Sequence, residues 1–254
     1  MKSISRAVAV VASASFAALV PLTSQAQARP AAAAIVAKYV TAIGGESEIR
    51  KITSLKQNAT MEVPSIGLSA SMEVFSAAPN KMASKTSIPG MGEMLTGYDG
   101  TVAWDVNPMA GPRLLADKEL TSMAENADFY ANLLYTADRF ASMETVGDTT
   151  INGEKAYAVK MVRKGSMKES MSYFSATSGL LMGGSSSQES QMGVLQISQT
   201  VKDYKKFGSL LMPTRIEQSM GPQSMVMTIQ DVTINGAPET AFAIPEQVKP
   251  LIKK

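Results

Sequence analysis

Apolar and polar residues follow two different periods along this chain. Between Pro30 and Ile43 the apolar positions Ile35, Val36, Tyr39, Val40 and Ile43 recur at helical spacing. A proline in the first turn and the Gly44–Gly45 pair at the end bound an amphipathic helix there. Glu46 to Ile52 resumes as a short helical turn. From Leu55 the period changes to two. Ala59, Met61 and Val63 alternate with Asn58, Thr60 and Glu62. After a turn at Pro64–Gly67, Leu68, Ala70, Met72 and Val74 alternate with Ser69, Ser71 and Glu73. A weaker strand over Met82–Thr86 and another over Glu93–Tyr98 lead into GYDGTVAWDVNPMAGPRL, residues 97–114. Here Asp99-Gly100 predicts a two-residue hairpin turn, because both positions tolerate positive φ. Val102, Trp104 and Val106 then share one strand face, and Pro108 to Pro112 close the strand.

Helical spacing returns at Asp117–Ala127, with Asp117 as the expected cap and Leu120, Met123, Ala124 and Ala127 as the apolar stripe. Phe129 to Tyr135 extends this helix or packs irregularly. The second half alternates again, over Ala141–Val146, Tyr157/Val159/Met161, Met167/Glu169/Met171/Tyr173, Leu180–Gln188, Leu195/Ile197/Gln199/Val201, Ile216/Gln218/Met220 and Met225/Met227/Ile229. Turn signals at Asn152-Gly153, Gly165-Ser166, Ser178-Gly179 and Asn235-Gly236 fall at the regular spacing of an antiparallel meander. The predicted fold class is mainly β with helices (α+β). About eleven strands are too many for a flat open sheet, so the sheet is expected to curl into a half-open barrel with the helices covering its concave face.

The first 28 residues read as a processing signal. Lys2 and Arg6 precede the small apolar run Ala7–Leu22, and Ala26-Gln27-Ala28 fits signal-peptidase cleavage after Ala28. That places the mature chain, expected as one domain over residues 29–254, in the periplasm; an uncleaved anchor is the alternative, disfavoured by the short, alanine-rich run. Removing two basic residues from 24 Lys+Arg leaves them balanced against 22 Asp+Glu. A neutral chain has no electrostatic basis for holding nucleic acid. The chain has no cysteine, hence no lipobox and no disulfide, and no histidine, hence no Ser-His-Asp or Cys-His catalysis and no His-ligated zinc. No cofactor or metal is expected, and no G-x-S-x-G elbow is present, although a Ser–Lys pair stays open. The 18 methionines suit a surface that accepts varied apolar ligands, or simply a core in which Met replaces Leu and Val.

Seven phrases run in order along the chain: AIGG at 42–45, APNK at 78–81, GYDGTVAWDVNPMAGPR at 97–113, INGEKAY at 151–157, YFSATSGLL at 173–181, DYKKFGSLLMPTRIE at 203–217 and TINGAPETAFAIP at 233–245. Together they resemble the LolA-like superfamily, the outer-membrane lipoprotein-sorting proteins and their relatives. The resemblance implies a half-open barrel with a helical lid over a concave face that takes acyl chains, and at most peripheral or transient membrane contact. It implies lipid or lipoprotein acyl chains as ligand and an envelope protein as a further partner. The true carriers use an arginine on an early strand, and none lies between Leu55 and Val74 here. On this reading Met61, Val63, Met72, Val74, Met82, Trp104, Met161, Met171, Ile197, Met225 and Met227 line the ligand cavity. The same residues also read as closed core, a lone Trp on a strand face most of all. Two readings compete: a non-enzymatic carrier for a hydrophobic ligand, and an envelope assembly factor that uses a free sheet edge without cargo.

Overall fold

The computed structural model describes residues 29–136, 138–190 and 193–252; the expected leader lies outside them. One antiparallel sheet of thirteen strands forms the body. A first meander comprises β1 (Ser54–Val63), β2 (Leu68–Ala77), β3 (Lys81–Ile88), β4 (Gly92–Tyr98), β5 (Ala103–Asn107) and β6 (Gly111–Leu114). A second comprises β7 (Phe140–Ile151), β8 (Glu154–Arg163), β9 (Glu169–Ser175), β10 (Leu181–Ser190), β11 (Gly193–Phe207), β12 (Leu210–Met220) and β13 (Gln223–Ile234). The meanders join where β1 pairs with β13, and β6 and β7 are the two free edges, so the sheet is curled but not closed. Strand β6 is the one the hydrophobic pattern does not announce, because it is four residues long and contains Pro112. Bulges opposite Asn58/Ala59, between Leu181 and Gly183, and at two places in β7 add local twist of the kind that curls a sheet.

Four helices lie on one face, here the inner face: α1 (Ala32–Ala42), α2 (Glu46–Ile49), α3 (Asp117–Asn126) and α4 (Ala131–Leu134). Gly44 and Gly45 stop α1 at positive φ, and a Cβ on Gly44 would come within 2.6 Å of the Ser209 carbonyl oxygen. Ile35, Val36, Tyr39 and Val40 of α1, with Ile43 just after it, pack with Leu55, Ala59, Val159, Phe174, Phe207, Leu210, Ile229 and Val232 in the main core. The seat is aromatic: Tyr39 meets Phe174 and Tyr135 edge-on at centroid distances of 5.4 and 5.6 Å. Asn235, itself at positive φ, accepts from the Thr53 amide at 2.7 Å and tethers the end of β13 to the start of β1.

Two local expectations give way. Asp99 and Gly100 do not form a two-residue turn. The loop spans Asp99–Val102, since Tyr98 pairs with Ala103, and the Asp99 carboxylate accepts from the amides of Thr101 and Val102 at 2.8 Å. The Asp side chain satisfies the backbone in the manner of an Asx turn, which competes successfully with the tight hairpin. Asp117 does not cap α3. It is already the first helical residue, with φ of 48°, and Ala116 holds the cap position without a side-chain bond.

The outer face of the first meander is covered by the chain after β13. Trp104 and Val106 pack there with Val248 and Ile244, and Phe242 packs with Ala77 and Ala83. The Trp104 ring lies flat against Gly97, its partner on β4, and a Cβ on Gly97 would come within 2.3 Å of the ring. Gly97→Ala therefore overpacks a fully buried contact and is expected to cost about 1–3 kcal/mol, read as a lowered Tm. Gly147→Ala, at a position where a Cβ meets nothing within 4 Å, is expected to leave Tm nearly unchanged. Equal effects of the two substitutions would contradict this packing.

Candidate functional site

Strand register decides which expected site residues meet. Met61 lies between Ala70 of β2 and Met227 of β13, and Met227 faces Ile216 of β12. Met72 lies opposite Ala59, one rung closer to the helices. Val63, Val74 and Met225 alternate onto the same inner face, and Ile197 pairs with Met220. All of these expected residues are half-buried rather than sealed. They form an apolar floor that runs from the main core out toward the hairpin ends of β1–β2 and β12–β13. Met82 also points inward, but it belongs to a separate cluster with Tyr98, Leu115, Leu120 and Met123 beneath α3.

Two expected residues, Trp104 and Met171, take other places, and Met161 is sealed in on the inner face. Met161 is inward but only 1% exposed, a core residue beside Val159 and Phe174. Trp104 lies on the outer face, 2% exposed under the C-terminal segment, and lines no inner cavity. The adjacent Ala103 is the inward one, packing with Tyr98 and Leu115. Met171 alternates outward with Lys160 and Ser185 as its pairing partners, because β9 turns Ser170, Ser172 and Phe174 inward.

That choice in β9 creates a cavity of about 400 Å³. In the strands around Met61 and Met227 the inner positions carry several large apolar side chains, among them Met72, Ile216 and Met225. In β9 and β10 they are Ser170, Ser172, Gly184 and Ser186, with Ser172 paired to Gly184 and Ser170 to Ser186. The missing side-chain volume is the cavity. Its floor is Tyr135, Phe140, Met161, Leu181 and Ile197; its walls are the serines with Gln199 and Gln218; Arg163, Lys168 and Glu125 stand at its border. The Arg163 guanidinium sits over the Phe140 ring at 5.5 Å. The cavity is thus hydroxyl- and amide-walled over an apolar base, where the sequence pattern predicts an apolar lining throughout.

Helix α3 straps the site. On one side it is held to the β5–β6 hairpin by Glu119, which receives Arg113 at 2.8 Å. On the other, Ser122 accepts from Lys168 of the β8–β9 turn at 2.6 Å. One helix of ten residues therefore touches both arms of the curled sheet. The segment after it is fixed by Arg139, which pairs with Asp128 and Asp138 at 2.8 Å, and by Tyr130, which donates to the Ile52 carbonyl at 2.9 Å. Among the described residues no three acidic side chains converge in a metal-holding cluster, and no helix is long and apolar enough to cross a membrane.

The fold is LolA-like. The chain is similar to the crystal structure of a LolA superfamily protein from Nitrosomonas europaea, with TM-score 0.58 at 13% identity over 85% of this chain and 99% of that one. A DUF1329 family protein from Desulfovibrio piger gives TM-score 0.58 at 11% identity, covering 84% of this chain and 97% of that one. A domain described as an outer membrane lipoprotein-sorting protein from Vibrio parahaemolyticus gives 0.52 at 10% identity over 82% and 97%. No family model and no curated protein matches the sequence.

Of the buried tyrosines, Tyr135 lies at the base of the cavity. Burial pushes the Tyr135 hydroxyl up to about 12, and burial also raises Tyr204 and Tyr39. A phenol whose pKa is higher folded than unfolded keeps its proton longer in the folded state. Its stabilising effect is complete below the unfolded value near 10 and is not lost there. Above that, the unfolded chain releases the proton first, so for Tyr135 stability falls as pH rises from about 10 to about 12, by roughly 1.4 kcal/mol per pH unit. Alkaline titration followed at 295 nm is expected to show these three phenols ionising together with loss of near-UV dichroism; ionisation of Tyr135 near pH 10 in the folded protein would contradict a sealed base.

Proposed function

We propose that this protein is a non-enzymatic binding protein of the cell envelope that carries an amphipathic ligand on its inner face. The acyl portion lies on the half-buried floor of Met61, Met72, Met225 and Met227, and the polar portion enters the serine- and glutamine-walled cavity beside it. The observation that carries this reading is the incomplete cover. The helices seal the core around Tyr39 and Phe174 but leave the methionine floor half-exposed on the same face. Methionine suits such a floor because its unbranched thioether adapts to chains of different shape. A concave apolar surface with a few convergent polar groups is the usual form of a small-molecule site. The LolA-like fold and the structure described as a lipoprotein-sorting domain support lipid or lipoprotein acyl chains as the ligand class. The A-x-A processing pattern ending at Ala28 supports periplasmic residence, with cleavage there releasing a single domain.

A fluorescent fatty-acid probe is expected to bind the purified protein. Placing a charge on the floor with Met61→Glu or Met227→Glu is expected to weaken the probe about tenfold or more. Met171→Glu, on the outer face, is expected to bind as wild type. Absence of probe binding, together with a ligand-free mass in native mass spectrometry after incubation with envelope lipids, would sink the carrier reading. Rapid fluorophosphonate labelling of Ser122 would instead give its contact with Lys168 a nucleophilic role.

A further inference from the structure

The six hairpins β1–β2, β3–β4, β5–β6, β8–β9, β10–β11 and β12–β13 all turn at the same end of the sheet, as the antiparallel register requires. Five of the seven exposed large hydrophobic side chains among the described residues lie on this rim. They are Ile66 at 67% exposure, Met91 at 47%, Met109 at 82%, Met167 at 60% and Val194 at 64%, on five different hairpins. The opposite rim, where α1 meets the turns at 176–180 and 208–209, carries none of them. Single exposed apolar residues scattered over a surface need no explanation. The gathering of five of seven on one rim, on five of its six hairpins, does.

Charge follows the same division. The described turns of this rim are 64–67, 89–91, 108–110, 164–168 and 221–222, reading PSIG, PGM, PMA, KGSMK and GP. They contain no acidic residue, and the two charges they do contain are Lys164 and Lys168. On the strands just behind, Glu93 pairs with Lys85 at 2.6 Å and Glu169 with Lys160 at 2.7 Å, while Glu62 of β1 is exposed. Apolar side chains on small turns whose own charges are lysines, with the carboxylates set back on the strands, match a lipid interface.

We propose that this rim docks on an anionic lipid surface, with the five apolar tips entering the headgroup boundary and the exposed Lys164 meeting the phosphates. The proposal stands apart from the carrier reading, since docking needs no cargo. It also gives that reading a direction, because the methionine floor opens toward this rim and away from α1. The test is flotation of the chain beginning at Arg29, which contains every described strand and helix, with vesicles of phosphatidylglycerol and phosphatidylethanolamine or of phosphatidylcholine alone. Wild type is expected to float with the anionic vesicles and about tenfold less with the neutral ones. The triple variant Ile66→Ser/Met91→Ser/Met109→Ser is expected to lose about tenfold in anionic partitioning, and Lys164→Gln to lose a smaller part of it that vanishes at high salt. Val146→Ser, at an exposed apolar residue on β7 away from the rim, is expected to float as wild type. Thermal melts of each variant establish that the fold is kept. The proposal is overturned if wild type fails to float, if the triple variant floats as well as wild type, or if sedimentation shows the rim buried in a dimer that the triple variant abolishes. Fatty-acid probe binding measured in parallel separates failure of the rim from failure of the inner site.

Discussion

A curled sheet with an apolar inner face must be covered, and the short helices of this chain are too few to cover all of it. That shortage organises the molecule. Helix α1 takes the position of greatest return, over Phe174, Leu210 and Ile229, where its own Tyr39 and the Ile43 just after it complete the densest part of the core. Helix α3 cannot do the same. Its buried partners are few, and its attachments are an ion pair to one arm of the sheet and a lysine–serine hydrogen bond to the other. Such surface contacts contribute little individually. The first helix is therefore part of the core and the third is a strap across it, and the space between them is where the inner face remains open.

The polarity of that space follows from side-chain size. Serine and glycine in β9 and β10 remove volume where the neighbouring strands supply it, and they line the resulting cavity with hydroxyls. An empty apolar hole of this size would forfeit many packing contacts. A polar cavity can be filled by water and by ligand groups in turn. The outer face shows the opposite solution. Over the first meander the chain after β13 seals it with Phe242 and Val248, whereas the second meander leaves it to ion pairs such as Lys160–Glu169 and Lys202–Glu217.

Much of this was legible in the residues. The period change at Leu55, the Gly44–Gly45 stop and the Asn235-Gly236 turn fix elements that the structure contains, because each rests on a strong local preference. The inward direction of Met61, Met72 and Met227 follows from alternation in strands whose other face is plainly polar. The failures have equally local causes. Trp104 and Ala103 alternate, and size alone assigns the tryptophan to the wrong side, since nothing in the strand itself announces the tail that covers the outer face. In β9 the methionine and tyrosine at 171 and 173 outweigh Ser170 and Ser172 in any hydrophobic pattern, yet Phe174 anchors the inward register. The signal available was the cluster of small residues at 183–187, which marks room on the inner face.

The seam between β1 and β13 has a consequence for the life of the chain before it is folded. Leu55 pairs with Ile234, so the first strand waits for the last. The same holds for α1, whose seat includes Phe207, Leu210, Ile229 and Val232. Pairings so distant in sequence are slow to form, because the loop between them must be closed before any contact rewards it. Synthesis from the N-terminus therefore delivers a long stretch of polypeptide with no native seat for its leading helix. Such a chain completes its native core only when its final strand has been made.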